Sequence, residues 1–308
     1  ESEAGNSKAL VKGIAKYFVD NGCNVGGFTA SVTSCVPAAA GVSSSASFEL
    51  LIAEIFNVLY NDGAVPKMKK AQASQYAENV YFLKPCGLMD QSAISLGGVS
   101  MIDFENVENP FVLGVQYPFT DTDIVITNTG GNHADLTSDY AAIRAEMEEV
   151  SEKFSEKYLR LVDYQKFLDA IPALQNEVSG RAIMRAMHFF DENRRALLEN
   201  NALAADNLDF FFELVRQSGA SSANLLQNLY SCRKPTEQGI PFGIMMSKRF
   251  LGKSGAVRVH GGGFAGTIQA FVPNDMLSYF KTTMESVLGK DACHVLTIRP
   301  AGGVVLLA

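Results

Sequence analysis

Small side chains dominate the run Pro37-Ala38-Ala39-Ala40-Gly41-Val42-Ser43-Ser44-Ser45-Ala46-Ser47, which joins a Thr- and Val-rich segment to a long apolar helix. A small-residue loop opening a helix lets backbone N–H groups approach an anion closely. The helix dipole adds partial positive charge, and the serine hydroxyls can donate hydrogen bonds or hold a metal. The same run also reads as simple N-capping by a serine. It is not a Walker loop, because the Gly-Lys-[Ser/Thr] end is missing.

The rest of the chain fits a soluble globular protein. Its 308 residues are 47% hydrophobic and 19% charged, with net charge −7, enough for one large domain or two of typical size. No window holds the ~18–20 uninterrupted apolar residues of a membrane span. The acidic balance without a basic run excludes nucleic acid and an anionic membrane as main partners. The five cysteines, Cys23, Cys35, Cys86, Cys232 and Cys293, form no C-x-x-C clip. They read as reduced, buried thiols in a reducing, cytoplasmic compartment. The start Glu1-Ser2-Glu3 is no signal peptide and no initiator Met. The sequence is therefore expected to be part of a longer protein.

The periodicity predicts helices over Ser7 to Asp20, Ala46 to Tyr60, Lys67 to Tyr81 and Leu88 to Leu96, with strands over Gly27 to Val36 and Val99 to Phe104. A second region starts near Phe119 with a strand over Asp123 to Asn128. Helices follow at Asp139–Tyr158, Gln165–Ile171, Gly180–Asn200, Asn207–Ser218, Gln238–Leu251 and Asn274–Leu288. Strands are expected over Val257 to His260, Thr267 to Val272, His294 to Ile298 and Val304 to Leu307. Strands and helices mix without a regular βαβ period, so the class is α+β.

Three further constellations can carry chemistry. Glu78 and Asp90 flank Pro85-Cys86-Gly87; one carboxylate could hold Mg²⁺ and the other orient a hydroxyl. On sequence alone the reading as solvated helix-surface acids leads, although Asp90 lies between apolar neighbours. The Gly261-Gly262-Gly263-Phe264-Ala265-Gly266 cluster between two strands suits a phosphate approach or a tight turn. Asn128-Thr129-Gly130-Gly131-Asn132-His133 and Ser138-Asp139-Tyr140 can line a cleft or start a helix. His188, His260 and His294 read as structural, and Glu146-Met-Glu-Glu149 as a solvated face.

Taken together, these elements resemble the galactokinase branch of the GHMP small-molecule kinases. Pro37 to Ser47 is similar to the family's P-x-x-x-G-L-S-S-S-A-S motif. Cys86-Gly87-Leu88-Met89-Asp90-Gln91 is similar to its C-G-I-M-D-Q segment, Gly261 to Gly266 to its G-G-G-F-G-G motif, and Ser138-Asp139-Tyr140 to S-E-Y. The family's first motif, G-R-V-N-L-I-G-E-H-T-D-Y, is absent from these residues, and without it no kinase activity is expected. Smaller departures are Ala39, Val42 and Ala265.

The resemblance implies a two-lobed fold with the site in the cleft between lobes. The N-terminal lobe, like domain 2 of ribosomal protein S5, would be residues 1–118 with 295–308 returning to it. A ferredoxin-like α+β C-terminal lobe would be 119–294. It also implies that Ala39, Ala40, Gly41, Val42, Ser43, Ser44 and Ser45 cradle ATP phosphates, and that Ser45 and Glu78 hold Mg²⁺. Asp90 would face the sugar O1 hydroxyl as the catalytic residue, with Gly87 and Tyr140 contacting galactose. The expected activity is ATP-dependent phosphorylation of galactose at O1 by a monomer. The alternatives are a sister kinase acting on N-acetylgalactosamine and a non-catalytic galactose and ATP sensor.

Overall fold

The computed structural model describes residues 4–36, 42–84, 86–131 and 136–306. The chain divides into two compact units. Unit 1 holds Glu1–Ile102, Val112–Val115 and Ile298–Ala308, and unit 2 holds Asp103–Phe111 and Gln116–Thr297.

Unit 1 is built on helices α1 (Ser7–Asp20), α2 (Ser44–Tyr60), α3 (Lys67–Tyr76) and α4 (Met89–Leu96), with strands β1 (Val99–Asp103) and β2 (Phe111–Val115) pairing in a two-stranded sheet. Asn6 starts α1 by accepting from the Lys8 N–H at 2.9 Å. The i, i+4, i+8 positions Leu10, Ile14 and Phe18 of α1 bury against Ile52, Ala53 and Phe56 of α2. Phe18 and Phe56 pack with their rings tilted by 49° and centroids 5.9 Å apart. Each large apolar side chain so buried contributes about 1.5–3 kcal/mol.

Three local expectations need correction, and one strand is new. The helix expected over residues 67–81 ends at Tyr76 and widens into a π-turn, Ala77–Tyr81. Apolar spacing over one turn does not separate the two windings. Residues 27–36 form no strand. Nearly all are exposed, and among the described residues no neighbour offers them a ladder of hydrogen bonds. Residues 304–306 form no strand either, and Val304, Val305 and Leu306 are exposed. The tail is held by close backbone contact instead. The Gly98 N–H donates to the Arg299 carbonyl at 2.7 Å, and a Cβ on Gly302 would stand 2.1 Å from the Ser95 carbonyl oxygen. Finally, β2 was not foreseen, because its residues are mostly exposed and show no clean alternation.

Unit 2 carries β3 (Thr122–Asn128), α5 (Thr137–Glu152), α6 (Tyr164–Leu174), α7 (Gly180–Ala204), α8 (Leu208–Ser221), α9 (Gly239–Leu251), β4 (Ala256–Val259), β5 (Thr267–Pro273), α10 (Asn274–Leu288) and β6 (Cys293–Leu296). Its sheet has order β4-β5-β3-β6, with β3 antiparallel to both β5 and β6. Central β3 follows from its composition: Val125 and Ile126 are both fully buried, as a strand covered on two faces requires. Alternation on β5 sorts its side chains. Ile268, Ala270 and Val272 pack with Ile240 and Ile244 of α9 and Phe280 and Met284 of α10. Phe271 points the other way, edge-on to Phe211 of α8 at 5.2 Å. A second core joins Val150, Phe167, Ile183 and Phe190 of α5, α6 and α7.

The charged run on α5 is not all solvent-facing. Glu146 turns toward α7, where its Oε2 accepts from Arg185 Nη1 at 2.9 Å and its other oxygen pairs with Arg181. The five cysteines are free thiols, but Cys35 and Cys232 are exposed rather than buried. Both sit in segments between regular elements, where no core forms around them. Among the described residues no helix is long and apolar enough to cross a membrane.

Candidate active site

Ser43 precedes α2 but does not cap it. Its φ of 57° is left-handed, and its side chain makes no capping bond. Elsewhere Asn6, Asp163, Ser179 and Asn207 accept from the helices they start. Ser43 instead turns its hydroxyl outward, and Oγ donates to Asp90 Oδ2. A non-glycine residue in this conformation costs on the order of 1 kcal/mol. The reading of the serine run as plain capping therefore fails at Ser43. Ser44 is exposed, and Val42 and Ser45 are half-buried. Ala39, Ala40 and Gly41 lie outside the described residues.

Two residues further on, Ser45 Oγ donates to Glu78 Oε1 at 3.4 Å. Glu78 sits in the π-turn, a winding that recurs where a side chain must be re-aimed. It is 3% exposed, so it is not the solvated surface acid its helical setting suggested. Gln91 Nε2 donates to Glu78 Oε2 at 3.0 Å, and Lys84 Nζ pairs with Oε1 at 3.0 Å. Asp90 departs from expectation in the opposite direction. It lies in the first turn of α4 and is exposed despite its apolar sequence neighbours. Helical winding sends Leu88 inward and leaves Asp90 on the open side.

The Cys86-Gly87 loop between the π-turn and α4 is pinned by Asn79. Its Oδ1 accepts from the Cys86 N–H at 2.6 Å, and its Nδ2 donates to the Cys86 carbonyl at 3.3 Å. Gly87 is exposed, with open space where a side chain would stand. Burial, then the Glu78 charge, pushes the Cys86 thiol up to about 12, which disfavours its thiolate form near neutral pH.

Sequence reasoning passed over Glu49 and Gln91. Glu49 is fully buried on α2, and Gln91 Nε2 reaches its Oε2 at 3.4 Å. Burial, then the charge of Glu78, raises Glu49 to about 7. Oε1 of Glu49 and Oε1 of Gln91 are buried without a hydrogen-bond partner. The available signals were the two acids, Glu49 and Glu54, inside the otherwise apolar stretch of α2, and the place of Gln91 at the end of the C-G-L-M-D-Q segment.

Tyr140 belongs to unit 2, on the first turn of α5, and is not part of the cluster just described. Its hydroxyl donates to the Gly263 carbonyl at 2.8 Å, and its ring meets Phe264 edge-on at 5.3 Å. Burial, then the Asp139 charge, raises its phenol above the ordinary value. Asn228 holds the same glycine loop from another side. Its Nδ2 donates to the Gly262 carbonyl at 3.1 Å, and its own carbonyl accepts from the Phe264 N–H at 2.5 Å. Phe264, not Ala265, takes the left-handed conformation there, so the methyl at position 265 is accommodated. Of the Asn128–His133 segment, Asn132 and His133 lie outside the described residues. Thr129, Gly131, Glu237, Ile240, Phe264 and Ala265 line a cavity of about 220 Å³. A larger cavity, about 480 Å³, lies at Arg160. Its guanidinium is already taken by Asp103 and Glu105, each at 2.8 Å.

Unit 1 thus gathers Ser43, Ser45, Glu78 and Asp90 from three sequence segments. Two oxygen acids and two hydroxyls at a helix start can orient an alcohol and bind a hard cation. Among the described residues no group of three or more His, Cys, Asp or Glu can hold a metal alone. A cation held by Ser45 and Glu78 would therefore need further ligands from a bound phosphate or water. The donor chemistry fits Mg²⁺: both are oxygens, 3.4 Å apart, and the Lys84 ammonium already sits on the shared Glu78 oxygen.

Residues 9–98 match the family of the GHMP kinases N terminal domain. Among solved structures, the chain is similar to Lactococcus lactis galactokinase complexed with galactose, at 27% identity and TM-score 0.75, over 97% of this chain and 76% of that one. The Streptococcus pneumoniae phosphomevalonate kinase matches at 11% identity and TM-score 0.62, over 96% and 83%. The L. major mevalonate kinase in complex with R-mevalonate matches at 11% identity and TM-score 0.56, over 96% and 78%. The last two show the fold alone. The chain has the GHMP kinase fold, and its residues 9–98 match the model of the GHMP kinases N terminal domain.

Proposed function

We propose that the protein containing this chain transfers the γ-phosphoryl group of ATP to O1 of galactose, giving α-D-galactose 1-phosphate. One observation carries the reading: Ser43 meets Asp90 and Ser45 meets Glu78, so two acids twelve residues apart reach two serines at the start of one helix. The 27% identity to a galactokinase bound to galactose favours that sugar as acceptor.

Phosphoryl transfer needs positioning and charge neutralisation more than covalent help. In this reading the backbone amides of Val42 to Ser45, which lead into α2, bind phosphate oxygens. Ser45 and Glu78 hold Mg²⁺, which offsets phosphate charge when bound. Asp90 accepts from Ser43 through one oxygen, leaves the other for the O1 hydroxyl, and holds or takes its proton. The Gly87 backbone approaches the sugar where no side chain intervenes. Tyr140 accepts from a sugar hydroxyl, because its own proton is already given to Gly263.

The test is product analysis by phosphorus NMR with ATP and Mg²⁺. Galactose, N-acetylgalactosamine and mevalonate are offered separately. The expected result is phosphate on galactose O1. Transfer to another acceptor only, or no transfer with intact ATP binding, overturns the assignment.

A further inference from the structure

Glu78 is a buried carboxylate with a removable counter-ion. Its side chain is 4% exposed, whereas that of Lys84 is 62% exposed. A carboxylate this buried is costly unless paired, and among the described residues its ion pair is with Lys84. The other donors to it, Gln91 and Ser45, are neutral. Glu49, fully buried, accepts from the same Gln91 Nε2 at 3.4 Å and adds a second carboxyl.

The ammonium sits where a metal would have to sit. Lys84 Nζ and Ser45 Oγ both address Oε1 of Glu78. A monovalent and a divalent cation cannot share that oxygen without strong repulsion. The backbone of Lys84 stays fixed, since its N–H donates to the Glu78 carbonyl at 3.0 Å. Only the exposed side chain has to move, and it surrenders little packing.

We propose that Lys84 is a resident cation for Glu78, competing with the divalent cation for Oε1 and leaving when the metal arrives. This rests on the reading of Ser45 and Glu78 as metal ligands. Lys84 thereby sets the metal concentration at which the site fills and keeps the buried carboxylate paired when it is empty.

Calorimetric titration with Mn²⁺ alone tests this on wild type, Lys84→Met and Glu78→Gln. Lys84→Met is expected to bind Mn²⁺ roughly three- to tenfold more tightly than wild type. The gain should persist at about 0.3 M KCl, where through-space effects between exposed charges are screened. Without metal, Lys84→Met should melt below wild type, and Mn²⁺ should restore it more than it raises wild type. Equal or weaker Mn²⁺ binding by Lys84→Met overturns the proposal. So does a loss of affinity for a non-hydrolysable ATP analogue with Mn²⁺ affinity unchanged, which makes Lys84 a phosphate ligand. Mn²⁺ binding undiminished in Glu78→Gln refutes the metal reading itself rather than the role of Lys84.

Discussion

Single side chains here answer to their contacts more than to their sequence neighbours. Asp90, flanked by apolar residues, is exposed and bonded to Ser43, whereas Glu78, on an apparently polar helix, is buried. Asp90→Asn removes the acceptor for the alcohol proton but keeps the side-chain shape. It is expected to lower kcat by about 10²–10⁴-fold with an unchanged melting curve. Turnover near wild type would remove Asp90 from the chemistry. Tyr140→Phe has two expected effects. It should raise KM for galactose by about two- to tenfold while KM for ATP stays constant. It also strips the Gly263 carbonyl of its 2.8 Å donor, so Tm should fall. Parallel shifts in both KM values would deny Tyr140 a sugar contact.

At the level of elements, each unit holds one unusual local device: the uncapped start of α2 in unit 1 and the glycine loop between β4 and β5 in unit 2. The loop is clamped between Tyr140 and Asn228, and Gly263 takes φ +79° inside that clamp. A Cβ there would stand 2.1 Å from the Asn228 carbonyl oxygen. Gly263→Ala therefore combines backbone strain with a clash against backbone that cannot swing aside. A loss of roughly 2 kcal/mol or more is expected by denaturant unfolding. Wild-type stability in that variant would mean that the loop relaxes freely and is not held by its clamp.

For the whole molecule, burial of titratable groups sets opposite pH limits in the two units. In unit 1, burial and the charge of Glu78 hold Glu49 at about 7. An unfolded Glu titrates near ~4.3, so the stability due to its retained proton is complete below that pH and is lost as pH rises through about 7. In unit 2, burial, then Arg258 and Arg195, lowers His188 to about 4. An unfolded His titrates near ~6.5, so that contribution is present above this pH and is lost as pH falls through about 4. Calorimetric melting between about pH 4 and 8 should show both limbs. Glu49→Gln should flatten the alkaline limb and leave the acid limb alone. A variant whose pH profile matches wild type would show that Glu49 stays ionised in the fold.

Much of this was legible in the residues. The α+β class and most helices follow from apolar spacing, and the serine run and the C-G-L-M-D-Q segment point to the chemistry. These are local properties: periodicity, small side chains and motif order act over a few residues each. Sequence could not say that residues 27–36 lack a strand partner, since a ladder belongs to two segments at once. Nor could it separate Glu78 from Asp90, because which acid is buried depends on how the π-turn and α4 meet α2. Glu49, Lys84 and Asn228 carry no motif at all, and Gln91 stands only as the last residue of one. Their roles arise where segments distant along the chain exclude water together, and only the folded arrangement fixes which charges are left to face one another.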